Sequence, residues 1–249
     1  MNWQEHYRSR TISAEEAAAL VKPGMRVDFP LAAGYVMQRA LAARAEKIGG
    51  PVNLRMSSPA VDPGWFSRDL TSAFQIEFEL FIGNLGRAHH DQRLGTYLPN
   101  PLSTGFKAND QRPSEAKPID ILFVNTTPPN DKGFVSFGPH QWNKRMYVRR
   151  ARCAVAEVDR TLPRVHGDVY MHVSEFQYFV EATPPPPDLD AIERELQLMD
   201  PDKREGIRLV IAEAGVERIA LIIQYLARTS VGDLRLLLGI GDPPEEYKT

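Results

Sequence analysis

Several stretches of this 249-residue chain hold residue types that could do chemistry. TPPNDKGFVSFG (residues 127–138) fixes its backbone with two prolines where a buried strand ends, and Asn-Asp-Lys-Gly is turn chemistry. Gly133 and Gly138 bracket Ser136, so amides and a hydroxyl gather at a strand end, where open α/β sheets bind ligands. An ordinary hairpin-like turn would read the same way. LLLGIGDPP (residues 236–244) sets Gly239 and Gly241 after an apolar run, and glycines let backbone amides approach a phosphate. No third glycine, following helix or ribose-binding acid completes a dinucleotide fingerprint there. Glu157 and Glu181 lie beside apolar strands. A buried carboxylate at either place would have a raised pKa, or would serve an arginine or a backbone amide.

Other chemistry is weakly supported. His89-His90-Asp91 and His166…His172 match neither a helical H-x-x-x-H pattern nor a Cys/His set, so they read as surface or satisfied histidines and no metal is expected. The single cysteine, Cys153, sits in an apolar stretch and reads as a small core residue. There is no G-x-S-x-G elbow and no Walker motif. A net charge of −2, with arginines scattered along the chain, gives no field to recruit nucleic acid or an anionic membrane. The polar start MNWQEHYRSR and the lack of an 18-residue apolar run lead to an expectation of a cytoplasmic protein.

The elements that must position these residues follow an α/β order. A capping box, Ser13 with Glu16, opens the first expected helix, and Pro23-Gly24 ends it before the strand MRVDF. Gly34 precedes a helix YVMQRALAARAEKI, on which Val36, Leu41, Ala45 and Ile48 recur at near-helical spacing. VNLRM is the next strand, which completes a βαβ unit and implies a parallel sheet. FQIEFELFIG alternates as a strand. Residues 86–118 read as a long surface excursion. IDILFVNTT and CAVAEVD are buried strands, with a helix beginning near Gln141 between them. PPPPD at 184–188 is a stiff connector. Beyond it come LDAIERELQLM, a helix starting between Pro201 and Gly206 with Ile207, Val210, Ile211 and Ala214 on one face, an interruption at Gly215, and a last strand. The expected architecture is an open, mostly parallel α/β sheet with flanking helices, residues 1–249 forming one domain.

Read in chain order, these stretches resemble the N-terminal halves of family I CoA-transferases of the acetyl-CoA hydrolase and 4-hydroxybutyrate CoA-transferase type. SAEEAAALVKPGMRV, the spacing of Gly95, Tyr97 and Pro99, TPPNDKGFVSFG, AEVDRTLPRVHG, Val180-Glu181 and LLLGIGDPP all fit that family's pattern. The resemblance implies a NagB/RpiA/CoA-transferase-like fold and an active site between two related halves. There a glutamate attacks an acyl-CoA thioester, and CoA passes through a glutamyl-CoA thioester to an acceptor carboxylate. Coenzyme A is then substrate, with no resident cofactor.

By the same resemblance, CoA and substrate contacts fall at Gly34, at Pro128, Asp131, Gly133, Ser136 and Gly138, and at Gly239, Gly241 and Asp242. The glutamate of the family lies in an HTE-like stretch that this sequence does not contain. The expectation is therefore an α-type subunit, inactive alone, in a hetero-oligomer whose β-type partner carries the nucleophile. Leu237 stands where glutamine is usual, Asn130 where aspartate is, and Lys132 where histidine is. Those departures leave open a CoA-thioester hydrolase, a carbon–carbon lyase, or a non-catalytic acyl-CoA or protein-binding scaffold. Arg87 or Arg164 could hold a substrate carboxylate.

Overall fold

The structure is a computed structural model. It describes residues 2–57, 62–66, 68–80, 82–99, 106, 111–112, 114, 117–182, 197 and 201–214. The chain divides into two compact units, Met1–Pro184 and Pro185–Thr249, with the boundary inside the proline run.

The first unit opens with a helix that the sequence reading overlooked, α1 (Trp3–Ser9), capped by the Asn2 side chain. The capping box of Ser13 and Glu16 therefore starts the second helix, α2 (Ala14–Ala19). β1 (Arg26–Phe29) follows, then α3 (Tyr35–Ala42), α4 (Ala45–Ile48) and β2 (Val52–Met56). The expected long helix is thus two, because the Arg44 amide tightens onto Leu41 and breaks the regular ladder. Gly49, in the left-handed region, closes α4.

The expected surface excursion is partly structured. β3 (Phe74–Glu79) leads into α5 (Asn84–Asp91) and β4 (Gly95–Leu98), which pairs in parallel with β3. Both were hidden by composition. His89 looks polar, yet it is buried edge-on against Phe66 and Phe78. β4 is an edge strand with little apolar pattern to read.

The remaining elements are β5 (Ile119–Thr126), β6 (Phe134–Ser136), α6 (Lys144–Arg150), β7 (Ala151–Asp159), β8 (Tyr170–His172) and β9 (Tyr178–Ala182). Seven strands form one sheet in the order β4-β3-β2-β1-β5-β7-β9, every pair parallel. β6 and β8 make a small antiparallel pair. The α/β class and the mostly parallel sheet are as expected. Strand order reverses between β1 and β5, so the crevice at their C-terminal ends is where such sheets bind ligands.

The sheet has an apolar layer on each face. On one, Val27, Phe29, Leu54, Ile76, Phe78, Phe123 and Val155 pack against α2 and α3. On the other, Leu122, Val124, Ala154, Ala156 and Phe179 pack against Tyr147 and Val148 of α6. On β1 to β3 the alternate positions are charged. Arg26 pairs with Asp28 at 2.6 Å, both almost fully buried. Glu77 holds Asn53 at 2.7 Å and Arg55 at 2.9 Å, and Glu79 accepts from the Tyr147 hydroxyl. Along β1 to β3, alternation therefore puts an apolar layer on one side and a paired polar layer on the other.

In the second unit, α7 (Pro201–Ala214) is described. It begins at Pro201, and Gly206 lies within it rather than before it. The connector, the LDAIERELQLM segment, the interruption at Gly215 and the last strand lie outside the described residues, apart from Gln197.

Candidate active site

Three polar side chains cluster at the C-terminal ends of β5 and β7, beside the point where strand order reverses. Glu157 is the first. It lies next to last in the buried run of β7, on the face that packs against α3, and is 4% exposed. Its carboxylate accepts hydrogen bonds from the amides of Val36 (3.2 Å) and Met37 (3.1 Å), in the first turn of α3. A helix N-terminus offers unsatisfied N–H groups and partial positive charge, so it suits an anion. Burial nevertheless pushes the Glu157 carboxyl up to about 7, with the two amides pulling it down and Asp159 adding to the rise.

Gly34, the N-cap of α3, makes this contact possible. A Cβ there would stand 2.1 Å from Glu157 Cδ. Both readings open to Glu157 in the sequence are met at once: it is a backbone-amide partner, and burial raises its pKa. Glu181 is exposed and serves Tyr7 and Arg160.

Asn125 and Lys144 complete the cluster. The register pairs Val27 with Ile121 and Asp28 with Leu122, so β1 ends at Phe29 while β5 runs on past it. Asn125 stands in that extension, beside Glu157 in register and therefore on the same face. Lys144, the first residue of α6, is fully buried. Its ammonium donates to Asn125 Oδ1 at 2.7 Å. Burial alone lowers the Lys144 ammonium to about 7. The half-buried His140 imidazole is lowered too, first by burial and then by the charge of Lys144.

The sequence reading singled out neither Asn125 nor Lys144. Lys144 lies in the basic run NKRMYVRR, which resembles a solvated face. Its signal was the spacing of Lys144, Tyr147 and Val148, one helical face whose other two members are apolar. For Asn125, the signal was an amide interrupting ILFV near the end of a buried strand.

The turn at 127–138 follows β5, and its polar groups are mostly used within it. Asn130 Oδ1 accepts from the amides of Lys132 (3.0 Å) and Phe134 (2.9 Å), while the Gly133 amide donates to the Asn130 carbonyl. Ser136 is buried, with its Oγ accepting from the Gly138 amide at 3.1 Å. Its own amide donates to Thr127 Oγ1 at 3.0 Å.

Gly133 and Gly138 both have positive φ, at 79° and 66°. A Cβ on Gly133 would meet Trp3 and His172 at 2.8 Å, and one on Gly138 would meet Leu162 at 2.9 Å. Asp131 and Lys132 are exposed, and Pro128 is half-buried. Arg164 donates to the carbonyls of Pro128 and Phe134, so it braces the turn. Arg87 is exposed on α5. The structure thus joins Gly34 to Glu157, and keeps Pro128, Gly133, Ser136 and Gly138 in one self-bonded turn. Gly239, Gly241 and Asp242 lie outside the described residues.

A chain with this sheet and this crevice can be set beside known proteins. The family profile of the acetyl-CoA hydrolase/transferase N-terminal domain matches residues 1–187. The chain belongs to this family.

Its relatives are CoA-transferases. It is 26% identical over 204 residues to 4-hydroxybutyrate coenzyme A transferase of Clostridium kluyveri, covering 78% of this chain and 46% of that protein. It is 24% identical over 186 residues to succinyl-CoA:cyclohexane-1-carboxylate CoA transferase of Geobacter metallireducens, covering 74% and 41%. The chain therefore spans less than half the length of either relative. Among solved structures, RipA from Yersinia pestis aligns with a TM-score of 0.64 at 20% identity, over 86% of this chain and 50% of that one. The 4-hydroxybutyrate CoA-transferase of Porphyromonas gingivalis aligns with a TM-score of 0.53 at 24% identity, over 74% and 42%. Both likenesses concern the fold. Among the described residues, no helix is long and apolar enough to cross a membrane.

Proposed function

We propose that this chain is the α-type half of a CoA-transferase, which moves CoA between an acyl-CoA and a carboxylic acid. In this reading a β-type partner subunit supplies the glutamate that attacks the thioester. The observation that carries it is the polar cluster of Glu157, Asn125 and Lys144 beside the β1/β5 reversal, found in a chain whose relatives transfer CoA. Glu157 does not suit the nucleophile's role, because both of its oxygens are engaged by helix amides and it is buried.

The contribution of the chain's own residues is position and exclusion of water. The α3 turn, held by Glu157 against Gly34, forms one wall. The self-bonded turn of Pro128, Asp131, Gly133, Ser136 and Gly138 forms the other, acting through its shape. By the family resemblance alone, Gly239, Gly241 and Asp242 are further proposed CoA contacts. Coenzyme A is substrate, and no resident cofactor is invoked. The names of the relatives suggest short or alicyclic carboxylates, with 4-hydroxybutyrate and cyclohexane-1-carboxylate as first acids to try. The departures at Leu237 and Asn130 favour a hydrolase or lyase on the same scaffold as the second reading.

The test is to purify the native complex, identify every chain in it by mass spectrometry, and supply acetyl-CoA with each acid. A stoichiometric second chain and formation of the new acyl-CoA are expected. Release of free CoA without a new thioester would favour the hydrolase. A homo-oligomer that leaves acetyl-CoA intact would remove the proposal.

A further inference from the structure

We propose that Asn125 is a catalytic hydrogen-bond donor to the acyl oxygen of the bound CoA thioester, and that Lys144 is the positioning residue that turns its amide for this role. The proposal rests on the CoA-transfer reading above.

The orientation follows from donor and acceptor inventory. While protonated, the Lys144 ammonium has three donors and no acceptor, so it can meet only the carbonyl end of the Asn125 amide. The 2.7 Å bond from Lys144 Nζ to Asn125 Oδ1 therefore fixes which way the amide faces. The NH2 end must point away from Lys144, and no described group accepts a hydrogen bond from it. Its neighbour in register, Glu157, has both oxygens occupied by the amides of Val36 and Met37. Asn125 thus offers two N–H donors that no described group claims, on a half-buried side chain, beside the point where the strand order reverses. Lys144 is fully buried behind it and cannot itself reach a ligand.

Such a donor suits the charge that thioester chemistry develops. When the partner's glutamate oxygen bonds to the thioester carbon, the C=O pair moves onto the acyl oxygen. That oxygen is then an anion for the Asn125 N–H groups to hold. The pair returns as the C–S bond breaks, leaving CoA thiolate and an acyl-glutamyl anhydride. The thiolate then attacks the glutamyl carbonyl, the free carboxylate leaves, and the glutamyl-CoA thioester forms. No outside electrons or protons are required. A donor already fixed by Lys144 needs no reorganisation when the charge appears, which is what makes such groups effective.

The experiment uses the complete assembled enzyme, with steady-state kinetics and a melting curve for each variant. Asn125→Asp keeps the size and the acceptor for Lys144 but removes the donors, so the protein should fold. Its kcat should fall by about 10²–10³-fold with KM changed by less than about threefold. Lys144→Met frees the amide to flip and should lower kcat by roughly tenfold, yet cost nothing further when Asn125 is already alanine. A kcat within about threefold of wild type in a folded Asn125→Asp enzyme would overturn the catalytic role. Independent, multiplying losses for Lys144→Met and Asn125→Ala would overturn the positioning role. A wild-type assembly that transfers no CoA would instead remove the underlying reading, and this role with it.

Discussion

Replacing Lys144 with methionine should stabilise the protein most below neutral pH and least above it. The lysine is fully buried and its described partner is a neutral amide, so burial lowers its pKa from 10.5 to about 7. Between those values the unfolded chain holds a proton that the folded chain does not. Stability must therefore rise with pH across that window. Below it both states are protonated, and the full cost of a buried ammonium is present. At roughly 1.4 kcal/mol for each tenfold change in proton affinity, that cost is about 5 kcal/mol.

Methionine has similar length and does not titrate. It leaves Asn125 Oδ1 without its donor, which costs about 1 kcal/mol independently of pH. The advantage of the variant should shrink by roughly 2–3 kcal/mol between about pH 6 and about pH 9. Urea unfolding followed by tryptophan fluorescence would measure it, since Trp65 is only 1% exposed in the folded state. Taking the difference between variant and wild type cancels every other titrating group. A difference that stayed flat within about 0.5 kcal/mol would mean that the ammonium finds water or a carboxylate, and the burial argument would fail.

Glu157 should give the opposite slope. Its folded pKa is raised from 4.5 to about 7, so its contribution is fully present below the lower value and is lost as pH rises through the upper one. Glu157→Gln should therefore gain on wild type by roughly 2–3 kcal/mol between about pH 5 and about pH 8, in the same urea experiment. Gly34→Ala pushes a Cβ into the Glu157 carboxylate and should cost about 2–4 kcal/mol. Much of that loss should disappear when Glu157 is also alanine, a non-additivity that melting curves can read. Asp28→Ala strands the buried Arg26 guanidinium and should cost about 3–5 kcal/mol by urea unfolding, whereas replacing both with apolar residues should cost much less.

The parallel sheet was legible because its strands are long apolar or alternating runs separated by glycine and proline. β5 and β7 emerge where IDILFVNTT and CAVAEVD stand. β4 and α5 were not legible, since an edge strand and a helix with a buried histidine leave little periodic signal. The site was legible in part. Gly34 and Glu157 were both marked, the first by resemblance and the second as a carboxylate beside an apolar strand. Their contact joins residues 120–123 positions apart in the chain, through α3 and β7, which no local pattern can disclose. Lys144 was missed for a related reason. A lysine in a basic run is usually solvated, and only the packing of α6 on the sheet turns this one inward.

The placement of the two titrating groups is itself an argument for function at this edge. Glu157 and Asn125 stand side by side in register, and Lys144 reaches Asn125 from the other layer. A direct lysine–glutamate ion pair would have offset part of the desolvation cost of both by mutual attraction. Instead the carboxylate is held by the α3 amides and the ammonium by an amide oxygen, each with a pKa moved to about 7. The far half of the sheet solves the same problem differently, pairing Arg26 with Asp28 and Arg55 with Glu77 directly. Stability alone would favour that solution at both places. Keeping the charges apart at the β1/β5 crevice leaves Asn125 between them with its donors unclaimed by any described group, and functional sites are where a fold retains such local cost.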